Sequence, residues 1–517
     1  MFTTLIEYFH SLFQHHLLSL LIWLPILGAV SVVAVKGDAY PNRARVVALI
    51  TSLVSIALCI PLYLGFDPAL SSMQFQENVP WITAFNVNYA LGVDGISLPL
   101  ILLTVFTTLL VVLAAWRSIE LRVAQYMAAF LIMQSMMVGT FAATDSILFY
   151  VFWEAMLIPM YLSIGVWGSA NRSYASIKFF LYTFFGSALM LIALLYLGFK
   201  NPAHDFYIAG FYPLKLTMTE QIWIFLAFLI AFAVKIPMWP LHTWLPDAHT
   251  EAPAGGSVVL AALMLKLGGY GFLRFSLPIA PDASHYLDML MIVLALIAIG
   301  YIGIVALAQV DMKRLIAYSS IAHMGFVVLG CFMVFVIMKQ SQNTSMAYMS
   351  LEGAMVQMIS HAFSSGAMFL AVGMLAHRFH SRLIKDYGGL AFRMPLLTAF
   401  FLLFAMSNVG LPGTSGFVGE FMIIMSAMQA SFWITVTAAT TLILSAAYTL
   451  YMYKRVFLGE VTNPLIETGT DIHGFEKLVF ILLAFAIIFI GVYPSPLLTM
   501  MHTSIDSILQ LSLQTKL

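Results

Sequence analysis

The sequence predicts an all-α polytopic membrane protein of about 14 transmembrane helices, and three observations lead there. Hydrophobic residues make up 62% of the chain, charged residues 9%, and the mean hydropathy is +0.95. Soluble domains carry about 25% charged residues, so this chain has too little polar surface to face water on all sides. Apolar runs near the roughly 20 residues that cross a bilayer recur along it. Finally, Lys and Arg gather in alternate loops, as expected where basic residues are retained on the cytoplasmic side.

In order, the runs cover 17–35, 46–65, 96–116, 123–142, 145–167, 175–199, 221–245, 254–277, 286–308, 314–338, 351–376, 395–429, 432–456 and 475–499. The first lacks the basic leader and small-residue cleavage site of a secretory signal and reads as a retained helix. Loops after odd-numbered spans hold sixteen of the 23 basic residues, Lys36, Arg117, Lys313 and Arg382 among them. Loops after even-numbered spans and the tail hold five: Lys200, Lys215, Arg274, Lys339 and Lys516. Both termini are therefore expected on the outer face, which is periplasmic in a bacterial inner membrane. The longest loops, 66–95 and 457–474, are too small for a soluble catalytic domain.

Two spans carry helix breakers at depth. In the seventh, VKIPMWPLHTWLPDAHTEAP, Pro237 and Pro240 remove the bonds to the carbonyls of Ala233 and Ile236. In the twelfth, NVGLPGTSGFVGEF, Gly410, Pro412, Gly413, Gly416 and Gly419 interrupt an apolar run. Unwound backbone at membrane depth is tolerated where it is buried in protein or lines a watery cavity. Spans four to eight (123–277) and nine to thirteen (278–456) form two units of five, each with its fourth helix broken, between an N-terminal segment 1–122 and a C-terminal segment 457–517. An odd number of helices makes the second unit enter from the opposite face, the inverted-repeat arrangement that places a transport site near the midplane.

Ionisable residues inside these runs cost at least ~2.5–3.5 kcal/mol each at the bilayer centre and point to function. Lys235 lies beside the seventh-span break, and Lys266, in VLAALMLKLGGYG, precedes Gly268, Gly269 and Gly271. Glu154 in the fifth span needs a cationic partner or a proton, and Lys235 is the expected partner. Pro159 releases the Ala155 carbonyl one residue beyond Glu154. His323 and His361 lie within apolar helices and are able to pass protons near neutral pH. His242 and His249 are expected at the water boundary as connectors, whereas His10, His15, His16, His377, His380 and His502 look interfacial and receive no role. Asp94 reads as a helix N-cap. Asp311, Lys313 and Arg314 read as a solvated helix entry, where Asp311 is placed to help admit protons.

A formal net charge of zero argues against nucleic acid as a partner. Cys59 and Cys331 stand alone in apolar runs and offer neither an iron–sulfur nor a zinc site, and no Gly-rich phosphate loop is found.

The strings VKIPMWPLHTWLPDAHTEAPAGGSVVLAALMLKLGGYG and QVDMKRLIAYSSIAHMG resemble the antiporter-like membrane subunits of respiratory complex I, most closely their M-type branch, from about Gly92 to Tyr453. That resemblance implies a 14-helix core with two inverted five-helix repeats. It also implies a proton channel with Glu154 and Lys235 as a coupled pair, Lys266 as central relay, His323 and His361 as connectors and Glu420 as terminal exchange residue. L-type and N-type relatives usually carry lysine where this chain has Glu420, and the L-type chain carries a further lysine where it has Ser365. The resemblance implies no cofactor in this chain, with FMN, iron–sulfur clusters and quinone held by partner subunits. The expected partners are the other membrane subunits of the complex, L-type and N-type chains above all, and the bilayer. A subunit of a multisubunit cation/proton antiporter is the alternative reading.

Overall fold

The computed structural model describes residues 2–35, 39–461 and 463–517, with only the backbone described over 2–15. Lys36, counted above among the basic loop residues, and the side chains of His10 and His15 lie outside the described residues. The helices are α1 (Phe2–Ala34), α2 (Pro41–Leu64), α3 (Ser97–Ser118), α4 (Val123–Ala142), α5 (Ser146–Ala155), α6 (Leu157–Trp167), α7 (Arg172–Lys200), α8 (Met218–Lys235) and α9 (Trp244–Glu251). They continue as α10 (Ala254–Ile279), α11 (Asp288–Leu307), α12 (Met312–Gln340), α13 (Thr344–Phe379), α14 (Pro395–Val409), α15 (Ser415–Ala430), α16 (Phe432–Phe457), α17 (Phe475–Val492) and α18 (Ser495–Leu513). Short turns of helix between them are left unnumbered.

Among the described residues, thirteen helical segments are long and apolar enough to cross a membrane. The expected twelfth span is divided into α14 and α15, both shorter. Helices α3, α10, α12 and α13 are almost wholly buried, whereas α2, α16 and α17 turn most of their residues outward. Those outward residues include Ile60, Leu64, Ile443, Phe485 and Val492, an apolar surface suited to lipid or to neighbouring membrane helices.

Every anticipated interruption is present, each with its own chemistry. The chain between α8 and α9 turns, and the Ala233 carbonyl that Pro237 was expected to free accepts instead from Met238 N–H at 2.8 Å. The Val234 carbonyl takes the Trp244 indole N–H at 2.8 Å, so two carbonyls at this break are reoccupied within the turn. The α14–α15 break ends in a Schellman motif: Leu411 N–H reaches Met406 O at 3.0 Å and Gly410 N–H reaches Ser407 O at 3.2 Å. Gly410 adopts φ +84°, which glycine reaches without steric cost. Near Glu154 the fifth span divides at Met156, between α5 and α6.

Three features escaped the sequence. Within the loop 66–95, strands β1 (Gln74–Ile82) and β2 (Val87–Val93) pair antiparallel, and the buried Glu77 carboxylate of β1 accepts from Leu18 and Ser19 N–H, capping α1 just beyond its kink at His16. The last span ends at Val492 rather than 499, and α18 follows as a separate helix. Helix α18 lies along the face opposite the basic loops, where Ser504 Oγ accepts from Gly95 N–H at 2.9 Å. Arg274, expected in a loop on that face, is instead a buried residue of α10 whose guanidinium meets both carboxylate oxygens of Asp94 at 2.7 Å.

Candidate functional site

Helix α10 departs from regular α geometry twice, with π-helical turns at Leu260–Met264 and Phe272–Ser276. Such turns leave backbone carbonyls without their usual partner and recur at functional sites. The first presents the Ala261 carbonyl to Lys266, whose Nζ donates to it at 2.6 Å. The same Nζ stands 2.8 Å from His361 Nδ1 on α13. Lys266 is fully buried and His361 nearly so. Around Lys266 the packing is tight, because a Cβ at Gly268 would lie 2.8 Å from both Ile236 N and Phe232 O. That close approach sets α10 directly against the end of α8, where Lys235 sits.

From His361 the polar row continues. The rings of His361 and His323 are 5.9 Å apart, and His323 Nδ1 meets Glu420 Oε1 at 2.5 Å. Gln357 Nε2 donates to the same oxygen at 3.0 Å, and Glu420 Oε2 has no hydrogen-bond partner among the described residues. This free oxygen faces the α14–α15 break, since a Cβ at Gly410 would lie 3.4 Å from it.

At the other end the expected contact is absent. Lys235 Nζ has no hydrogen-bond partner among the described residues and lies 5.1 Å from the Trp153 ring centroid. Glu154, only half-buried, instead takes the Ser187 hydroxyl of α7 as donor. Helix α5 explains this: it presents Trp153 to Lys235 and Glu154 to α7. No ion pair joins the two among the described residues.

His249 is not at a water boundary. It is fully buried and stacked on Phe369 of α13 at 4.4 Å and 7°, with both ring nitrogens unpartnered among the described residues, because α9 packs between α7 and α12. His242 is also buried, its Nδ1 without a hydrogen-bond partner among the described residues. The α12 entry is less solvated than its charge suggests: Asp311 caps α12 through Lys313 and Arg314 N–H and pairs with Arg382 at 3.3 Å. Lys313 is buried, its Nζ donating to Ala252 O at 2.7 Å.

Sequence reasoning missed Ser187 and Gln357. Nothing near Ser187 signals a link to Glu154. Gln357 does carry a signal, since it precedes His361 by one helical turn and so shares its face.

The family model described as NADH:quinone oxidoreductase/Mrp antiporter, TM, matches residues 143–445, and the one described as NADH-ubiquinone oxidoreductase chain 4, amino terminus, matches 45–144. A curated NADH-quinone oxidoreductase subunit M from Rhodobacter capsulatus is 45% identical over 514 residues, covering 96% of this chain and 97% of its own. The chain belongs to the subunit M (chain 4) family of NADH–quinone oxidoreductase. Among solved structures, a chain of respiratory complex I from Thermus thermophilus superposes with a TM-score of 0.85 at 30% identity, covering 96% of this chain and 99% of that one. A chain of the Mrp complex from Dietzia shares the fold at 20% identity, with a TM-score of 0.82 and coverage of 97% and 99%. Within this subunit M family member, then, the polar row crosses the most buried helices of the fold and ends beside a helix break.

Proposed function

We propose that this chain is the proton-translocating, redox-inactive membrane subunit of an NADH:quinone oxidoreductase, and that protons move along Glu154, Lys235, Lys266, His361, His323 and Glu420. The observation that carries the reading is the hydrogen-bonded series Lys266–His361, then His323–Glu420, running through the deeply buried helices of the fold. Buried polar atoms are normally satisfied by protein or by ordered water. Orphaned atoms recur along this row, at Lys235 Nζ, His361 Nε2, His323 Nε2 and Glu420 Oε2, so water is needed to complete it. Each buried charge can be held only part of the time, by a neighbour that itself gains or loses a proton. Carrying one charge against the membrane potential takes ~2.3 kcal/mol per 100 mV, which a change of under two pKa units at ~1.36 kcal/mol each supplies.

In this reading FMN, iron–sulfur clusters and quinone belong to partner subunits, with L-type and N-type chains as membrane neighbours. The two units 123–277 and 278–456 act as inverted repeats, with His242 and His249 as connectors. The basic loops face the cytoplasm of a bacterial inner membrane and both termini face the periplasm, in keeping with the distribution of Lys and Arg.

Glu420→Gln tests the role of the terminal residue, because the amide keeps hydrogen bonds and shape but cannot carry the proton. With assembly of the complex confirmed, NADH-driven proton uptake in sealed membranes is expected to fall by about tenfold or more. Wild-type uptake would remove Glu420 from the path. Sodium counterflow without NADH would instead favour a cation/proton antiporter.

A further inference from the structure

We propose that a cavity at the basic end of this subunit is a binding site for a phosphate group, supplied by a small soluble anion or by a lipid headgroup. The site shares no residue with the polar row and does not depend on the proton-conduction reading.

The cavity has a volume of about 230 Å³ and lies where the ends of α3, α4, α10, α12 and α13 meet. At about 30 Å³ for each water, that is room for a tetrahedral oxyanion and several waters. Three basic side chains, Lys313, His377 and Arg382, stand in its wall, and among the described residues no Asp or Glu does. His377 and Ser169 of the same wall are exposed, so the mouth opens at the surface.

The charge of this wall is not balanced from within. The two acids nearby, Glu251 and Asp311, both pair with Arg382, at 3.5 and 3.3 Å. Each also takes backbone donors: Glu251 the Asn171 N–H at 2.9 Å, and Asp311 the N–H groups of Lys313 and Arg314 at 2.8 and 3.2 Å. Lys313 is the cation left over. It is only 4% exposed, its Nζ donates to the Ala252 carbonyl at 2.7 Å, and it forms no ion pair among the described residues. A buried ammonium without a counter-ion carries a cost that a bound anion offsets.

Two further features act in the same direction. Helix α10 starts at the wall: Pro253, Ala254 and Gly255 line the cavity, and no side chain caps this end. The first N–H groups of a helix lack intrahelical partners and together carry about half a positive charge, so anions bind there. The buried Tyr126 and the exposed Ser169 bring hydroxyl donors to the same space. Ammonium, helix end and hydroxyls converging from several sides match a group with several acceptor oxygens better than a halide. The cavity takes no residue from the outward-facing α2, α16 and α17 and caps the buried helices α3, α10, α12 and α13, which favours the soluble source over a lipid with its acyl chains. A bound phosphate ties α10, α12 and α13 together at their basic ends.

The test places a reporter, Ala376→Cys, at the cavity wall of the assembled complex and follows its labelling by a small neutral thiol reagent. The label is read on this subunit alone, whose own Cys59 and Cys331 are buried. In lipid-depleted detergent solution, inorganic phosphate at fixed ionic strength is expected to slow labelling saturably, by about fivefold or more, where chloride does not. Lys313→Gln keeps a donor for the Ala252 carbonyl without the charge, and is expected to abolish the protection. A lipid source supports the site by a different pattern: the cysteine is protected in native membranes, lipid removal exposes it, and anionic phospholipid restores protection only while Lys313 is present. Labelling that neither phosphate nor anionic phospholipid slows more than chloride does overturns the proposal, as does full protection in Lys313→Gln. If Lys313→Gln fails to assemble, Tyr126→Phe decides. Loss of its hydroxyl is expected to raise the half-protecting phosphate concentration severalfold, and an unchanged concentration overturns the site.

Discussion

At the scale of single residues, what distinguishes this molecule is how differently its buried charges are treated. Asp94 and Arg274 are fully matched: the carboxylate takes two guanidinium contacts at 2.7 Å and the amides of Ile96 and Ser97 at 3.1 and 3.0 Å. Burial alone would raise the Asp94 carboxyl, but Arg274 and these amides outweigh it and hold the group below the ordinary carboxylate range. Lys235, Lys266 and Glu420 are incompletely matched, each with an orphan atom or a partner that itself titrates. The first arrangement locks structure, and the second leaves room for proton exchange. Removing one side of the locked pair by Arg274→Leu strands a buried carboxylate and is expected to cost about 3–5 kcal/mol. A lowered thermal midpoint of the assembled complex would register it, and an unchanged midpoint would show the pair to be dispensable. The sequence identified the incompletely matched residues because charges stand out in apolar runs. It could not identify their partners: Ser187 lies 33 positions from Glu154 and Gln357 lies 63 from Glu420, distances set only by tertiary packing.

At the scale of elements, the breaks were legible and their resolution was not. Pro237, Pro240 and the Gly410–Gly413 cluster announced where α8 and α14 stop, because proline and glycine act on the backbone locally. That Met238 N–H would reoccupy the Ala233 carbonyl depends on how the chain turns afterwards. The π-helical turns that flank Lys266 carry no breaker at all and had no sequence signal. The expected last span ran on to 499 and so took in only the first turn of α18, because Leu497 and Leu498 continue the apolar pattern of α17 past the turn at Tyr493, and the rest of α18 was left in the tail. The close crossing of α8 and α10 yields a further expectation. At Gly268 a side chain would meet backbone atoms of Phe232 and Ile236 at 2.8 Å, so Gly268→Val must push α10 away from Lys235. Overpacking of this kind costs typically ~1–3 kcal/mol, and coupled proton uptake is expected to fall severalfold in complexes that still assemble. Uptake at the wild-type level would mean that the spacing of Lys235 and Lys266 is not critical.

At the scale of the whole molecule, the structure is a set of lipid-facing helices around a core of α3, α10, α12 and α13 that contains Lys266, His361 and His323. Composition alone pointed to the membrane setting, which the thirteen long apolar helices bear out, and the alternation of basic loops supplies the proposed order of crossings. The path through the core emerged only when α10, α13, α12 and α15 were seen side by side. The claim that unites these scales is that buried lysine is a moving part of a proton pump, and Lys235 is its clearest case: enclosed, unpaired and beside a helix break. The most direct test is to prepare membranes carrying Lys235→Ala, confirm that the complex is assembled, and compare NADH-driven quinone reduction and proton uptake with wild type. The account expects both to fall together while the complex stays intact. Wild-type values for both would make the buried lysine structural and contradict the mechanism at its centre.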